Sequence, residues 1–157
     1  MVGNIITEFT NSRTRDMLVD AIKASSPAMP VTIVDVRWNT YYPLTGEYRP
    51  ATFGSWLQEQ GFNYVYYQRL GNPFKDMADV TEMERKYKEY AQSQIDFGLL
   101  VDGIIQGDGT FCLLCYCKPP KPCHRYWLQH LLLDSIAALH RDFKCRDGVG
   151  SSFKTLN

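Results

Sequence analysis

No stretch of this chain approaches the roughly 20 apolar residues needed to cross a bilayer as a helix. Nor is there an excess of either charge: 17 Lys and Arg face 17 Asp and Glu, a formal net charge of zero. The first gap argues against a helical membrane protein. The second argues against a domain that holds DNA mainly by neutralising phosphates, because such domains are strongly basic. A sequence-specific DNA reader is thus the least favoured class, and nucleic acid is a possible partner without being the favoured one. A small basic pocket stays open. No repeat of solenoid length and no Gly/Ser linker divides the chain. Residues 1–8 place an acid after two aliphatics with no basic leader, which does not read as a secretory signal. A cytoplasmic location, where thiols stay reduced, is therefore expected.

What is present suits one domain. The 157 residues are 45% apolar and 13% aromatic, enough to bury a core. Short β-like runs alternate with helical periods. Ile5 to Phe9 reads as a first strand, and Asn11 or Ser12 as the cap of the helix after it. Val31-Thr32-Ile33-Val34-Asp35-Val36 is β-branched at nearly every position, as a strand buried on both faces would be. A Tyr-rich loop is expected over 38–50, then a short helix carrying Phe53, Trp56 and Leu57, with Gly61 at its end. Strands follow at 63–67 and 110–116. Between them, Thr81 and Glu84 have capping-box spacing for one long helix with a stripe at Met83, Tyr87, Tyr90, Gln94 and Phe97. Leu128, Leu131, Leu132, Ile136 and Leu139 mark a last helix. Alternation of this kind predicts a single α/β domain over 1–143, with a parallel or mostly parallel sheet of about four to five strands and helices on both faces. A polar C-terminal tail is expected over 144–157.

Such sheets bind ligands beyond the carboxyl ends of their strands, and three unusual clusters fall there. Asp35 and Arg37 leave one face of a strand end. They are either an ion pair pinning the next loop or an anion-recognising Arg oriented by Asp. Arg69-Leu70-Gly71-Asn72-Pro73 is turn chemistry in which Gly71 permits a tight exit and Asn72 is a site candidate. The third cluster runs from Cys112 to Arg125, with a strand, a proline-rich loop at 118–122, and Cys123-His124-Arg125 opening a helix. Amides at a helix start attract anions, and the same field lowers a nearby thiol's pKa.

Four of the five cysteines lie in that cluster, which suggests a site and not a spread disulfide framework. Cys115 and Cys117 share one face of the strand, whereas Cys112 faces the other way, into the core. Cys115, Cys117, Cys123 and His124 match the number of ligands zinc takes. The spacing Cys-x-Cys-x5-Cys-His lacks the paired knuckles of common zinc modules, so no metal ligand is assigned. A Cys-x5-Arg phosphatase loop is absent, since Lys121 and Cys123 stand six residues after Cys115 and Cys117.

Val34-Asp35-Val36-Arg37, Leu70-Gly71-Asn72 and Cys123-His124-Arg125, in that order, resemble the domain-of-unknown-function 488 family over about residues 5–142. The loop Cys115-Tyr116-Cys117-Lys118-Pro119 before Cys123-His124 is also similar to family 4326. Where family 488 commonly has an acidic residue two positions after the strand cysteine, this chain has Cys117. The resemblance implies an α/β fold and a shared site at Asp35, Arg37, Cys115, Cys123, His124 and Arg125, with Gly71 and Asn72 matching less specifically. It also implies a link to nucleotides or nucleic acid. Together these readings predict a small anionic or nucleotide-like ligand, bound by Asp35, Arg37, Asn72, Cys115 and Arg125. Were the protein an enzyme, His124 would be the acid/base and Cys117 or Cys123 the nucleophile. A zinc-stabilised non-catalytic module and a redox-responsive thiol protein are the alternatives. No cofactor and no oligomeric state follow from the sequence.

Overall fold

The β-branched run at 31–34 has no polar face to offer water, so it belongs inside a sheet. In the computed structural model it does lie there. The structure describes residues 3–38, 46–119 and 122–147, with side chains through 139. Four strands, β1 (Asn4–Phe9), β2 (Val31–Asp35), β3 (Asn63–Tyr66) and β4 (Thr110–Cys115), form one sheet in the order β1-β4-β2-β3. Every pairing is parallel. The all-buried β4 sits between β1 and β2.

Helices cover both faces. α1 (Arg15–Ser25) and α2 (Pro50–Glu59) close one face, where Leu18, Ile22, Phe53 and Leu57 pack on Val31, Ile33, Cys112 and Leu114. On the other face, α3 (Val80–Ser93), α4 (Ile95–Gln106) and α5 (His124–Asp147) bury Tyr87, Ala91, Phe97, Leu100 and Leu128 against Val34, Phe111 and Leu113. Odd and even residues of β2 and β4 thus feed separate cores, as the period of two requires. Cys112 lies buried in the first of these. The adjacent strands β2 and β4 send their chains to helices on opposite faces. A crevice must open between their ends.

Three local expectations change. The first helix is capped by Thr14, whose side chain accepts from the Met17 amide, and not by Asn11 or Ser12; Ser12 instead takes a left-handed turn at φ 64°. The long helix from Thr81 is two. Asp79, not Thr81, caps α3 by accepting from the Glu82 amide. At its far end Ser93 and Gln94 turn their side chains back to the Tyr90 carbonyl, and Gln94 adopts an extended backbone that separates α3 from α4. Side chains bonding to nearby carbonyls compete with helix continuation in this way. The sequence stripe therefore divides between two helices. At the C-terminal end, α5 continues to Asp147, past residue 143, and residues 148–157 lie outside those described.

Gly109 closes the turn into β4 at φ +83°, and a Cβ there would stand 2.0 Å from the Pro30 carbonyl oxygen. That same oxygen accepts the Thr110 amide at 2.9 Å, so the approach is fixed where the central strands β2 and β4 begin to pair. Gly109→Ala is expected to lose at least about 2 kcal/mol from strain and clash together, read as a fall in the urea midpoint at unchanged slope.

Candidate functional site

The end of β2 carries a buried ion pair. Arg37 donates from Nε to Asp35 Oδ1 at 2.8 Å and from Nη2 to Oδ2 at 2.5 Å, with both side chains essentially inaccessible. Nη2 also donates to the Tyr48 carbonyl at 2.9 Å. Tyr64 donates its hydroxyl to Asp35 Oδ2 at 2.7 Å. Burial alone would lower the Arg37 guanidinium, but the bonds and charge of Asp35 hold it raised. Burial and the Asp35 charge push the Tyr64 phenol well up, so it remains a donor. The pair faces α1 and α2, where Arg37 lies 5.5 Å from the Phe53 ring centre. Tyr48 folds back too, packing edge-on against Phe53 at 5.2 Å and donating to the Arg13 carbonyl. Tyr41 and Tyr42 of the same predicted loop lie outside the described residues.

Backbone beyond the pair is tied to β3 and to the turn that follows it. Tyr66 donates to the Arg37 carbonyl at 3.0 Å and Gln68 to the Trp38 carbonyl at 3.2 Å. Gly71 is needed for closeness and not for freedom: its φ is an ordinary −68°, while a Cβ would stand 2.6 Å from Trp38 Cα. Asn72, 6% exposed, accepts the Phe74 amide on Oδ1 at 2.9 Å, an Asx turn that fixes its side chain. Its Nδ2 reaches the weakly accepting Met83 sulfur at 3.4 Å.

The end of β4 brings three side chains together. Ligand atoms of Cys115, Cys123 and His124, all buried, lie within 4.8 Å of one another. His124 Nδ1 is 3.9 Å from Cys115 Sγ and 3.8 Å from Cys123 Sγ. His124 Nε2 stands 2.8 Å from the Val36 carbonyl. A carbonyl only accepts, so the proton is on Nε2 and the Nδ1 lone pair faces the sulfurs. Burial lowers this imidazole to about 4 against the pull of Val36, so it is neutral. Hydrogen bonds from the Cys117 and Cys123 thiols hold Cys115 well below the usual thiol range despite its burial. Donating to Cys115 in turn pushes the Cys123 thiol far up. Of these thiols Cys115 is the one drawn toward the thiolate form, and it stands beside Cys117 and Cys123, which the sequence nominated as nucleophile. Both ring nitrogens of His124 have partners.

Arg125 is 1% exposed and donates to the Cys117 carbonyl at 2.6 Å, to Cys123 Sγ at 3.2 Å and to the Tyr126 hydroxyl at 3.0 Å. None of these partners is a carboxylate. Among the described residues its Nε has no hydrogen-bond partner. Burial lowers the guanidinium, but the charge near Cys123 and Tyr126 leaves it raised.

Between the strand ends opens a crevice of about 470 Å³. Its walls are Arg37, Trp38 and Asn72 on one side and Cys115, Cys117, Cys123 and His124 on the other, with Lys75, Asp76, Met77, Val80 and Met83 at the rim. Arg125 is not among its lining residues, and its side chain lies toward the Phe9 ring at 5.9 Å. The two guanidinium groups that the sequence reading set over one ligand therefore have separate surroundings.

The Asp-Val-Arg, Leu-Gly-Asn and Cys-His-Arg segments all sit at this one end of the sheet, and residues 18–132 match the model of the domain of unknown function DUF488. The chain belongs to that family. The match leaves β1 outside and says nothing of family 4326. No curated protein and no solved structure matches the chain. The DUF488 site also holds residues that sequence reasoning missed: Tyr64 on Asp35, Tyr87 with its ring 5.2 Å from that of His124, and the rim from Lys75 to Met83. Tyr64 had a signal, since it is a polar-tipped ring on a strand beside β2. The others depend on how α3 docks.

Removing one partner of a buried ion pair strands the other. Asp35→Ala is therefore expected to cost about 3–5 kcal/mol, whereas Tyr64→Phe, which removes a single bond to the carboxylate, costs about 1–2 kcal/mol. Urea denaturation of the two variants should give that order, and equal losses would contradict it.

Proposed function

We propose that the crevice binds a small ligand of the nucleotide class, one with an anionic group and a planar ring. The observation that carries this reading is the convergence on one cavity of the start of α5 and the Asn72 amide. A helix of 24 residues begins at His124, and its first amides carry the partial positive charge that draws anions. Among the described residues Asn72 Nδ2 has a thioether as its one partner, so an oxygen acceptor in the crevice would be a better one. Lys75 stands exposed at the rim, with Asp76 beside it to limit the net charge. Trp38, half-buried in the wall, offers a ring face for stacking.

Arg37 takes a supporting part in this reading. Its guanidinium is engaged with Asp35 and Tyr48, so it holds the wall carrying Trp38 in place. Arg125 likewise acts behind the wall, on the Cys117 carbonyl that shapes the loop. The charge needed to hold the ligand comes from the helix start and Lys75.

Nucleoside mono- and diphosphates should raise the melting temperature in a concentration-dependent way, by about 2.7 kcal/mol of stabilisation at a hundredfold excess over Kd. Nucleosides lacking phosphate should do less. Lys75→Glu should weaken the phosphate-bearing ligands roughly tenfold, the 1.4 kcal/mol expected of one charge contact. Absence of any shift across nucleotides, nucleosides, inorganic phosphate and pyrophosphate would overturn the reading.

A further inference from the structure

We propose that Cys115, Cys117, Cys123 and His124 together bind one zinc ion, as a closed three-thiolate, one-imidazole centre at the end of β4. This site stands whether or not the crevice takes an anion, because it rests on other atoms.

The first support is metric. A zinc tetrahedron with Zn–S about 2.3 Å and Zn–N about 2.0–2.1 Å sets sulfur and nitrogen about 3.6 Å apart. The two Sγ–Nδ1 separations here are 3.9 and 3.8 Å. Hydrogen bonding is the rival account, and it fits poorly. Nδ1 has one lone pair, which a single thiol would approach more closely while the other stayed away. Two sulfurs nearly equidistant from one nitrogen are what a shared central ion would produce.

The second support is the orientation of the imidazole. A zinc-bound His ordinarily donates its remaining N–H to a carbonyl or carboxylate, which fixes tautomer and ring plane. His124 does this with the Val36 carbonyl at 2.8 Å. Tyr87 packs on the ring from α3. The ligand nitrogen is therefore aimed at the sulfurs before any metal arrives.

The third is charge. Arg125 is a buried cation whose hydrogen-bond partners are a carbonyl, a hydroxyl and Cys123 Sγ at 3.2 Å. A buried guanidinium with no carboxylate partner needs another anion. Three thiolates on one zinc ion carry a net single negative charge, and an N–H donor on a ligand sulfur is a usual outer contact of such centres. Arg125 thus acts as a positioning residue and counter-ion for the centre. Cys117, two residues after Cys115 and half-buried in the crevice wall, lies outside the 4.8 Å group formed by the other three ligand atoms, and in this proposal its side chain turns in to close the tetrahedron from the open side. The soft sulfur-rich set favours zinc over magnesium or calcium. The unusual Cys-x-Cys-x5-Cys-His spacing is accommodated because its first cysteine ends a strand and its last two residues open a helix.

The test uses the full chain, reduced and anaerobic. As isolated from zinc-supplemented growth it should hold about one zinc per chain. After removal of that metal, titration with cobalt(II) alone should saturate at one equivalent, with thiolate-to-cobalt charge-transfer absorption and the intense visible bands of tetrahedral cobalt. Zinc(II) should then displace the cobalt. Cys117→Ser should lower the charge-transfer intensity by about a third, as three thiolates become two. Cys112→Ala, on the other face of β4, should leave the spectrum unchanged. Zinc below about one atom per ten chains, with no charge-transfer absorption on cobalt addition, would overturn the proposal. So would a weak octahedral spectrum, or a disulfide between Cys115 and Cys123 that persists after treatment with excess thiol reductant. Because the wild-type titration needs no variant to fold, a misfolded Cys117→Ser chain would not spoil the result. Metal binding without any nucleotide shift would separate this site from the crevice reading.

Discussion

One hydrogen bond joins the two halves of this end of the molecule. His124 is the first residue of α5, on the face that α3 and α4 share, and it reaches past β4 to the Val36 carbonyl just beyond β2. That carbonyl is free to accept because the β2–β4 ladder ends at it: the Val36 amide still donates to the Leu114 carbonyl at 2.9 Å, and Asp35 with Leu114 is the last pair of the two strands. The bond settles which imidazole nitrogen carries the proton. It thereby turns Nδ1 toward Cys115 and Cys123, and it anchors the start of α5 beside the segment that bears Trp38. The aim of the imidazole at the thiols and the footing of α5 beside the crevice both follow from it.

The two buried arginines meet the cost of burial in contrasting ways. Arg37 has a bidentate carboxylate, a backbone carbonyl and a tyrosine network around it, so its charge is neutralised within the fold. Among the described residues Arg125 has no such acid beside it and relies on a sulfur, a carbonyl and a hydroxyl. Desolvating a cation costs several kcal/mol unless an opposite charge is near. The first arrangement is self-sufficient and reads as architecture. The second is balanced only if the cysteines carry negative charge, which ties Arg125 to whatever chemistry those sulfurs perform.

Much of the fold was legible because burial on both faces leaves a plain mark. The β-branched run at 31–34 and the all-apolar stretch at 111–114 announced strands of a parallel sheet, and the leucines after 127 announced α5. The split between α3 and α4 was not legible, since Met83, Tyr87 and Phe97 keep helical spacing across it. Only the Ser93 and Gln94 side chains returning to the Tyr90 carbonyl reveal the break. At the site, Asp35 with Arg37 was readable from alternation along a strand. The rim from Lys75 to Met83 was not, because its place depends on where α3 packs.

By itself the sequence determined a single α/β domain and the three segments that gather at the strand ends, since hydrophobic period and turn chemistry are local properties. Tertiary structure alone decided that Arg37 and Arg125 have separate surroundings. It also decided that Cys115, Cys123 and His124 converge, and that His124 has Val36 for a partner 88 positions away. Strand order and helix docking set those distances, and both arise from packing between elements that no short stretch of residues encodes.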